Sequence, residues 1–227
     1  MQPYFLPYIG YFQLIAAVDL FILYDNIEYT KSGWISRNRL CRNGEAVTFS
    51  LNLKSASDYL EVRERELAAE FRRDKLLNQI KEAYRRASEF AVVYPLLERI
   101  VNHEENNLFR FLHHSIIRVC EFIGIDTEIR ISSTIDIDHG LKAQDKVLAL
   151  CRAVSADQYV NAIGGVELYS KEAFREQRIA LSFIRTRPFD YVQGAAAFIP
   201  SLSIVDVLMC NPISAVRDRV RNGYELV

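Results

Sequence analysis

The sequence has little of what would announce a specialised class. It has no C-x-x-C pair, and Cys41, Cys120, Cys151 and Cys210 stand far apart. That spacing excludes the disulfide framework of a small secreted domain and implies reduced, mostly buried thiols. No apolar run approaches the roughly 20 residues of a membrane helix, so no membrane insertion is expected. The amino end has no basic stretch and carries prolines where a signal peptide would be continuously apolar, which makes a cytoplasmic protein the expectation. Neither charge sign dominates: 28 Lys and Arg oppose 29 Asp and Glu, for a net charge of -1, so no global field attracts nucleic acid. The P-loop pattern G-x-x-x-x-G-K-[ST] and the dinucleotide pattern G-x-G-x-x-G are both missing. His103-Glu104 fails the H-E-x-x-H zinc pattern because position 107 is Asn107. His113 and His114 are helix neighbours that face different directions, and Asp136, Asp138 and His139 lack a ligand spacing. No metal site is expected, and no cofactor is indicated.

What is present is an ordinary globular chain of 227 residues, half of them hydrophobic, enough for a single domain over residues 1–227. Its most unusual stretch is the first, Met1-Gln2-Pro3-Tyr4-Phe5-Leu6-Pro7-Tyr8-Ile9-Gly10-Tyr11-Phe12. Two prolines and a glycine restrict this backbone, while Gln2, Tyr4, Tyr8 and Tyr11 crowd polar tips into it. A loop held in one shape against a ligand needs that chemistry, and a plain buried strand does not. The same residues would also suit a rigid turn that packs tyrosines beneath a sheet.

Hydrophobic periodicity predicts a short helix over Phe12–Ala17 and a buried strand over Val18–Leu23 ending at Asp25. Residues 46–53 read as a strand. Glu61–Ala87 reads as a helix with a solvated charged face, and Glu89–Ile123 as helix broken near Tyr94-Pro95 and stopped by Gly124. Strands follow at Thr127–Ile131, Gln158–Ala162 and Ile179–Ile184, interleaved with helices at Gln144–Val154 and Ser170–Gln177. Phe198–Met209 reads as a helix capped by Ser201 or Ser203, and the tail from Asn211 as peripheral. Strands alternating with helices predict an α/β fold: a mostly parallel sheet of nucleotide-binding type, with a helical insertion at about 61–123.

Four further groups are candidates for a site. Lys31, Trp34, Arg37, Asn38 and Arg39 form the most basic stretch near the amino end. Arginine grips phosphate in a bidentate fork, and tryptophan can stack on a base or a sugar face. Two apart in extended chain, Arg37 and Arg39 share a face while Asn38 points the other way. Asn161, Gly164, Gly165 and Tyr169 follow a strand end, where open sheets bind ligands. Ser201, Ser203 and Asp206 would either cap a helix or orient a polar ligand, and no base stands beside the serines to activate them. Asp25, at a strand's carboxyl end, is the best-placed carboxylate for a general base, or else a turn cap through Asn26.

Three stretches, QPYFLPYIGYF, DLFILYDNIEYTKSGWISRNRL and FIPSLSIVDVLMCN, resemble the WbqC-like protein family over nearly the whole length. The resemblance implies a bacterial protein of O-antigen and lipopolysaccharide pathways, and it implies the pathway more firmly than a reaction. Family members usually carry a short apolar strand ahead of the Gln-Pro pair. Here the sequence opens at Met1, so either translation starts upstream or the fold manages without that strand. More weakly, the loop is similar to the P-x-H-x-G-H loop of nucleotidylyltransferases, with Pro7 and Gly10 kept and tyrosines near the histidine positions. Tyrosine titrates near pH 10 and carries no positive charge, so such a loop would hold a phosphate or a sugar without stabilising a phosphoryl transition state.

These readings combine into an expected transferase acting on a nucleotide-diphosphate sugar, adding an acyl or aminoacyl group to a sugar amine. Arg37 and its neighbours would hold the diphosphate, Trp34 and the early tyrosines the base or sugar, and Asp25 with Tyr11 would serve catalysis. The alternatives are a nucleotidyltransferase-like enzyme and a non-catalytic sugar-nucleotide-binding or scaffold protein. RNA recognition would need a basic face on the Arg72–Arg86 helix.

Overall fold

In the computed structural model, residues 1–194 and 197–227 are described. Helix α1 (Ile9–Ala16) follows the opening loop and leads into strand β1 (Leu20–Leu23). A hairpin of β2 (Arg37–Arg42) and β3 (Glu45–Ser50) comes next, turning through Asn43 and Gly44, which both have positive φ. Then come α2 (Arg73–Tyr84), α3 (Phe90–Val101) and α4 (Leu108–Ile123). The chain continues through β4 (Glu128–Ile131), α5 (Ala143–Ala153), β5 (Gln158–Ala162), α6 (Lys171–Glu176) and β6 (Ala180–Thr186). It closes with α7 (Ile204–Cys210), α8 (Ile213–Asn222) and β7 (Tyr224–Leu226). Among the described residues, no helix is long and apolar enough to cross a membrane.

The fold is mixed α/β, but the expected mostly parallel sheet does not form. Strands β1 and β4 pair in parallel, β2 and β3 antiparallel, and β6 lies between a parallel β5 and an antiparallel β7, giving three separate small sheets among the described residues. The physical reason is that β1 and β5 do not hydrogen-bond to one another. Both instead face a cleft of about 320 Å³, lined by Leu20, Phe21 and Ile22 on one side and Gln158 to Asn161 on the other. Met1 lies along its β1 wall, where the amine donates to the Ile22 carbonyl at 2.7 Å and the Met1 carbonyl accepts from the Tyr24 N–H at 2.9 Å. That is the bonding pattern of a single parallel bridge.

The core runs from the opening loop through α1 and the three middle helices to α8, with Phe5, Phe12, Phe49 and Phe111 fully buried in it. The α4 stripe of Leu108, Phe111, Leu112, Ser115, Ile116 and Val119 is buried as its spacing predicts, and Gly124 at φ 72° ends the helix. Elsewhere the structure corrects the sequence. Residues 61–72 are not α-helix, because Glu61, Glu66 and Leu67 form isolated bridges with Glu28, Asn107 and Leu53. Pro95 does not break α3: it lies on the exposed side of the helix, as does Ala91, the residue whose carbonyl loses its usual donor. The tail is not peripheral. Val216 and Val220 of α8 are buried, and the Gln13 amide donates to the Arg219 and Gly223 carbonyls at 3.0 and 3.1 Å.

Candidate functional site

Three stretches that are distant in sequence meet at one carbonyl, that of Leu6. Alternation along β2 turns Asn38 inward, where its Nδ2 donates to the Leu6 and Phe5 carbonyls at 2.9 and 3.3 Å. Ser203, the N-cap of α7, donates its hydroxyl to the same Leu6 oxygen at 2.7 Å and accepts from the Val205 N–H at 3.2 Å. Main-chain bonds complete the junction: Phe5 N–H to Ile35, Ser203 N–H to Arg39 and Ile204 N–H to Pro7. Leu6 itself has φ 44°, a conformation that a non-glycine residue keeps only when its surroundings over-determine it.

This junction places one wall of a cleft of about 390 Å³. The opening loop contributes Tyr4, Pro7 and Tyr8; the basic stretch contributes Trp34, Asn38 and Arg39; Ser201 closes the far side. The floor comes from Ile163 after β5 and from Ile184, Arg185 and Thr186 at the carboxyl end of β6. Gly10 makes the corner possible, since a Cβ there would sit 2.3 Å from the Tyr8 ring and 2.7 Å from the Thr186 hydroxyl. Sequence reasoning missed the floor. The signal available for it was Arg185-Thr186 at a strand's carboxyl end, the place where open α/β sheets carry their ligands.

The cleft is cationic and aromatic. The Arg39 guanidinium lies 5.6 Å from the Trp34 ring centre, and its Nη2 reaches the Ser201 carbonyl at 3.5 Å. Its Nε is buried and finds no acceptor among the described residues. Arg185 is held by Glu225 at 3.0 Å across the edge of the sheet. Burial raises both tyrosines above the ordinary phenol value, for Tyr4 with help from neighbouring Tyr8, so both keep their protons at neutral pH. Among the described residues, the lining holds neither a carboxylate nor an imidazole.

The remaining candidates stand elsewhere. Arg37 turns its guanidinium back to the Ser32 and Gly33 carbonyls, and Lys31 pairs with Asp58 in solvent. Gln2 accepts from the Tyr4 hydroxyl at 3.0 Å and so steadies a lining residue. The buried Tyr11 hydroxyl donates to the Gln2 carbonyl at 2.8 Å, and burial lifts its pKa well above the phenol value. Asp25 is buried beyond β1 and accepts from the Ser132 hydroxyl, the Ser133 N–H and the Ser133 hydroxyl. Neither Tyr11 nor Asp25 lines the cleft. Asn26, next to Asp25, holds the His139 ring at 2.9 Å. Asn161 lies in the β1–β5 cleft, Gly165 packs against it, and Tyr169 meets Tyr159 at 3.4 Å; Gly164 touches neither cleft. Asp206 is fully buried and accepts from Tyr84, Tyr191 and Gln193 at 2.6, 2.6 and 3.0 Å.

A model of the WbqC-like protein family matches residues 2–218. The chain belongs to the WbqC-like protein family. Among curated proteins, this WbqC-like chain is similar to the uncharacterized protein Rv1507c of Mycobacterium tuberculosis. The two are 26% identical over 212 residues, which cover 92% of this chain and 90% of the mycobacterial one. No solved structure matches it. All three segments that meet at Leu6 fall inside the family match.

Proposed function

We propose that this WbqC-like protein is a transferase of bacterial surface-polysaccharide sugar biosynthesis, and that its cleft binds a nucleotide-diphosphate sugar. One observation carries the reading: the proline-braced tyrosines and the arginine-bearing strand β2 line one cavity together. Arg39 and Arg185 supply the charge for a diphosphate. Trp34 supplies a face for a base or a sugar ring, and the protonated Tyr4 and Tyr8 supply donors. The reaction that suits this reading is transfer of an acyl or aminoacyl group to a sugar amine. The amine must lose a proton during the transfer. Asp190, on the wall of the cavity next door, is the one carboxylate among the described residues lining either space, and it is the group we assign to take that proton.

Calorimetric titration with UDP- and dTDP-sugars tests the reading. Arg39→Ala removes a charge-assisted contact of about 1.5–3 kcal/mol, so affinity falls roughly 10- to 150-fold. Arg37→Ala changes affinity far less, because that guanidinium is bound to its own loop. Equal losses in the two variants, or no binding by the parent protein, would remove the cleft from the function. With a donor in hand, Asp190→Asn should keep binding and lose turnover. A parent protein that binds and never turns over is a carrier or scaffold instead.

A further inference from the structure

A second cavity of about 350 Å³ adjoins the cationic cleft, and Tyr8, Thr186 and Ser201 line both. Its walls are of two kinds. Phe189, Tyr191 and Phe198 form an aromatic surface, with ring centres 5.2 Å apart in each successive pair. Arg187 and Asp190 add one charge of each sign. Among the described residues, neither of these two side chains is in an ion pair. The aromatic surface is braced from behind: the Tyr191 hydroxyl donates to buried Asp206 at 2.6 Å, and Gln193 bridges the Ile199 main chain and Asp206. Phe198 remains 37% exposed beside it, although collapse onto its neighbours would hide more of its ring from water. Ser201, on the shared wall, has φ 57°. A non-glycine residue keeps that conformation only where its surroundings over-determine it, and such residues gather at ligand clamps.

We propose that this cavity holds the sugar of the nucleotide-diphosphate sugar, and that Asp190 selects an amino sugar. The inference rests on the reading above: the nucleotide and its diphosphate occupy the Arg39 cleft, and the sugar passes Tyr8, Thr186 and Ser201 into the second space. Three observations favour a sugar ring there. A pyranose has an apolar C–H face and a rim of hydroxyls, and the cavity offers an aromatic surface to the first and Tyr8, Arg187 and Asp190 to the second. The volume is more than twice the roughly 150 Å³ that accommodates benzene, which leaves room for a six-membered ring with its substituents. The two spaces adjoin, as a diphosphate and the sugar bonded to it require. The charges then choose the kind of sugar. Arg39 and Arg185 serve the diphosphate, and Asp190 is the one carboxylate among the described residues lining either space. A ring bearing an ammonium group meets that opposite charge beside aromatic faces that also attract a cation.

The test titrates the full chain with UDP, UDP-glucose, UDP-glucosamine and UDP-glucuronate, and with dTDP-glucose beside its 4-amino counterpart. Phe198→Ala should weaken every nucleotide sugar about fivefold and leave UDP unchanged, and the retained UDP binding shows that the variant is folded. Arg39→Ala should weaken UDP and the sugars alike. An amine on one of the two carbons should tighten binding about fivefold over the matching hydroxy sugar, the strength of an exposed ion pair. Asp190→Asn should still bind, with the amino sugar brought down to the affinity of the hydroxy sugar. UDP-glucose binding no tighter than UDP would overturn the sugar subsite, as would equal effects of Phe198→Ala on the two. Tighter binding of the glucuronate than of either amino sugar would overturn the assignment to Asp190, as would an amine preference that survives Asp190→Asn or is absent at both carbons. Methyl glucoside, titrated by NMR, separates this inference from the reading it rests on. If the glycoside binds and weakens in Phe198→Ala while UDP does not bind, the sugar cavity stands and the nucleotide cleft falls.

Discussion

Replacing Asn38 tests whether the Leu6 carbonyl is the point on which the cleft depends. Asn38→Ala deletes two donated bonds, to Leu6 and Phe5, and one accepted bond from the Arg39 N–H at 2.9 Å. Net hydrogen bonds contribute about 1 kcal/mol each, but Leu6 keeps its bond from Ser203, so the expected loss is about 2–3 kcal/mol. Ser203→Ala removes the α7 cap together with the other donor on Leu6, for about 2 kcal/mol. The double variant strands the Leu6 oxygen, because each single variant leaves it one partner. Its cost should therefore exceed the sum of the singles by about 0.5–1 kcal/mol. Urea denaturation of the four proteins measures this directly. Asn38→Asp goes further, setting a carboxylate oxygen against two carbonyls. It should be the least stable single variant at pH 7 and should recover as acid protonates the new carboxyl, whose folded pKa lies above its unfolded one. Strict additivity in the cycle, or a loss below about 0.5 kcal/mol for Asn38→Ala, would show that the strained Leu6 conformation does not rest on this clamp.

Two further outcomes are expected. Asp206→Ala leaves the Tyr84 and Tyr191 hydroxyls without their acceptor and removes one of the Gln193 amide's, and urea denaturation should show a loss of about 3–5 kcal/mol, well above that for Asp206→Asn. Tyr11→Phe removes one bond to Gln2 and should cost about 1 kcal/mol with sugar-nucleotide affinity unchanged; a fivefold loss of affinity would place Tyr11 in the site after all.

Much of the fold was legible because local rules decide it. The α4 stripe, the Gly124 stop, the β5 span and a serine cap before α7 all follow from periodicity and capping within a few residues. The sheet was not legible in the same way. Apolar runs such as LFIL and QYVNA announce strands, yet nothing in them says that β1 and β5 would face a cleft in place of each other. Pairing is settled by which edges come together, over more than a hundred residues of separation. The helix over residues 61–72 failed for the same reason, since good helix formers there were taken into bridges with partners remote in the chain.

For the candidate site, residue chemistry named the groups and geometry decided which of them meet. Composition and backbone restriction singled out the opening tyrosines, Trp34, Asn38 and Arg39, and the structure gathers Tyr4, Tyr8, Trp34, Asn38, Arg39 and Ser201 around one space. The amino-acid sequence by itself determined the inventory: proline and glycine that stiffen a loop, guanidinium and aromatic groups that suit an anionic ligand, and the alternation that opposes Asn38 to its arginine neighbours. Only the tertiary structure decided which polar groups are spent internally. Asp25, Ser203 and Asp206 look the same in a sequence whether they meet a ligand or a buried donor. A hydrogen bond depends on the position of a partner in space, and in this protein those partners lie 107, 197 and 122 residues away along the chain.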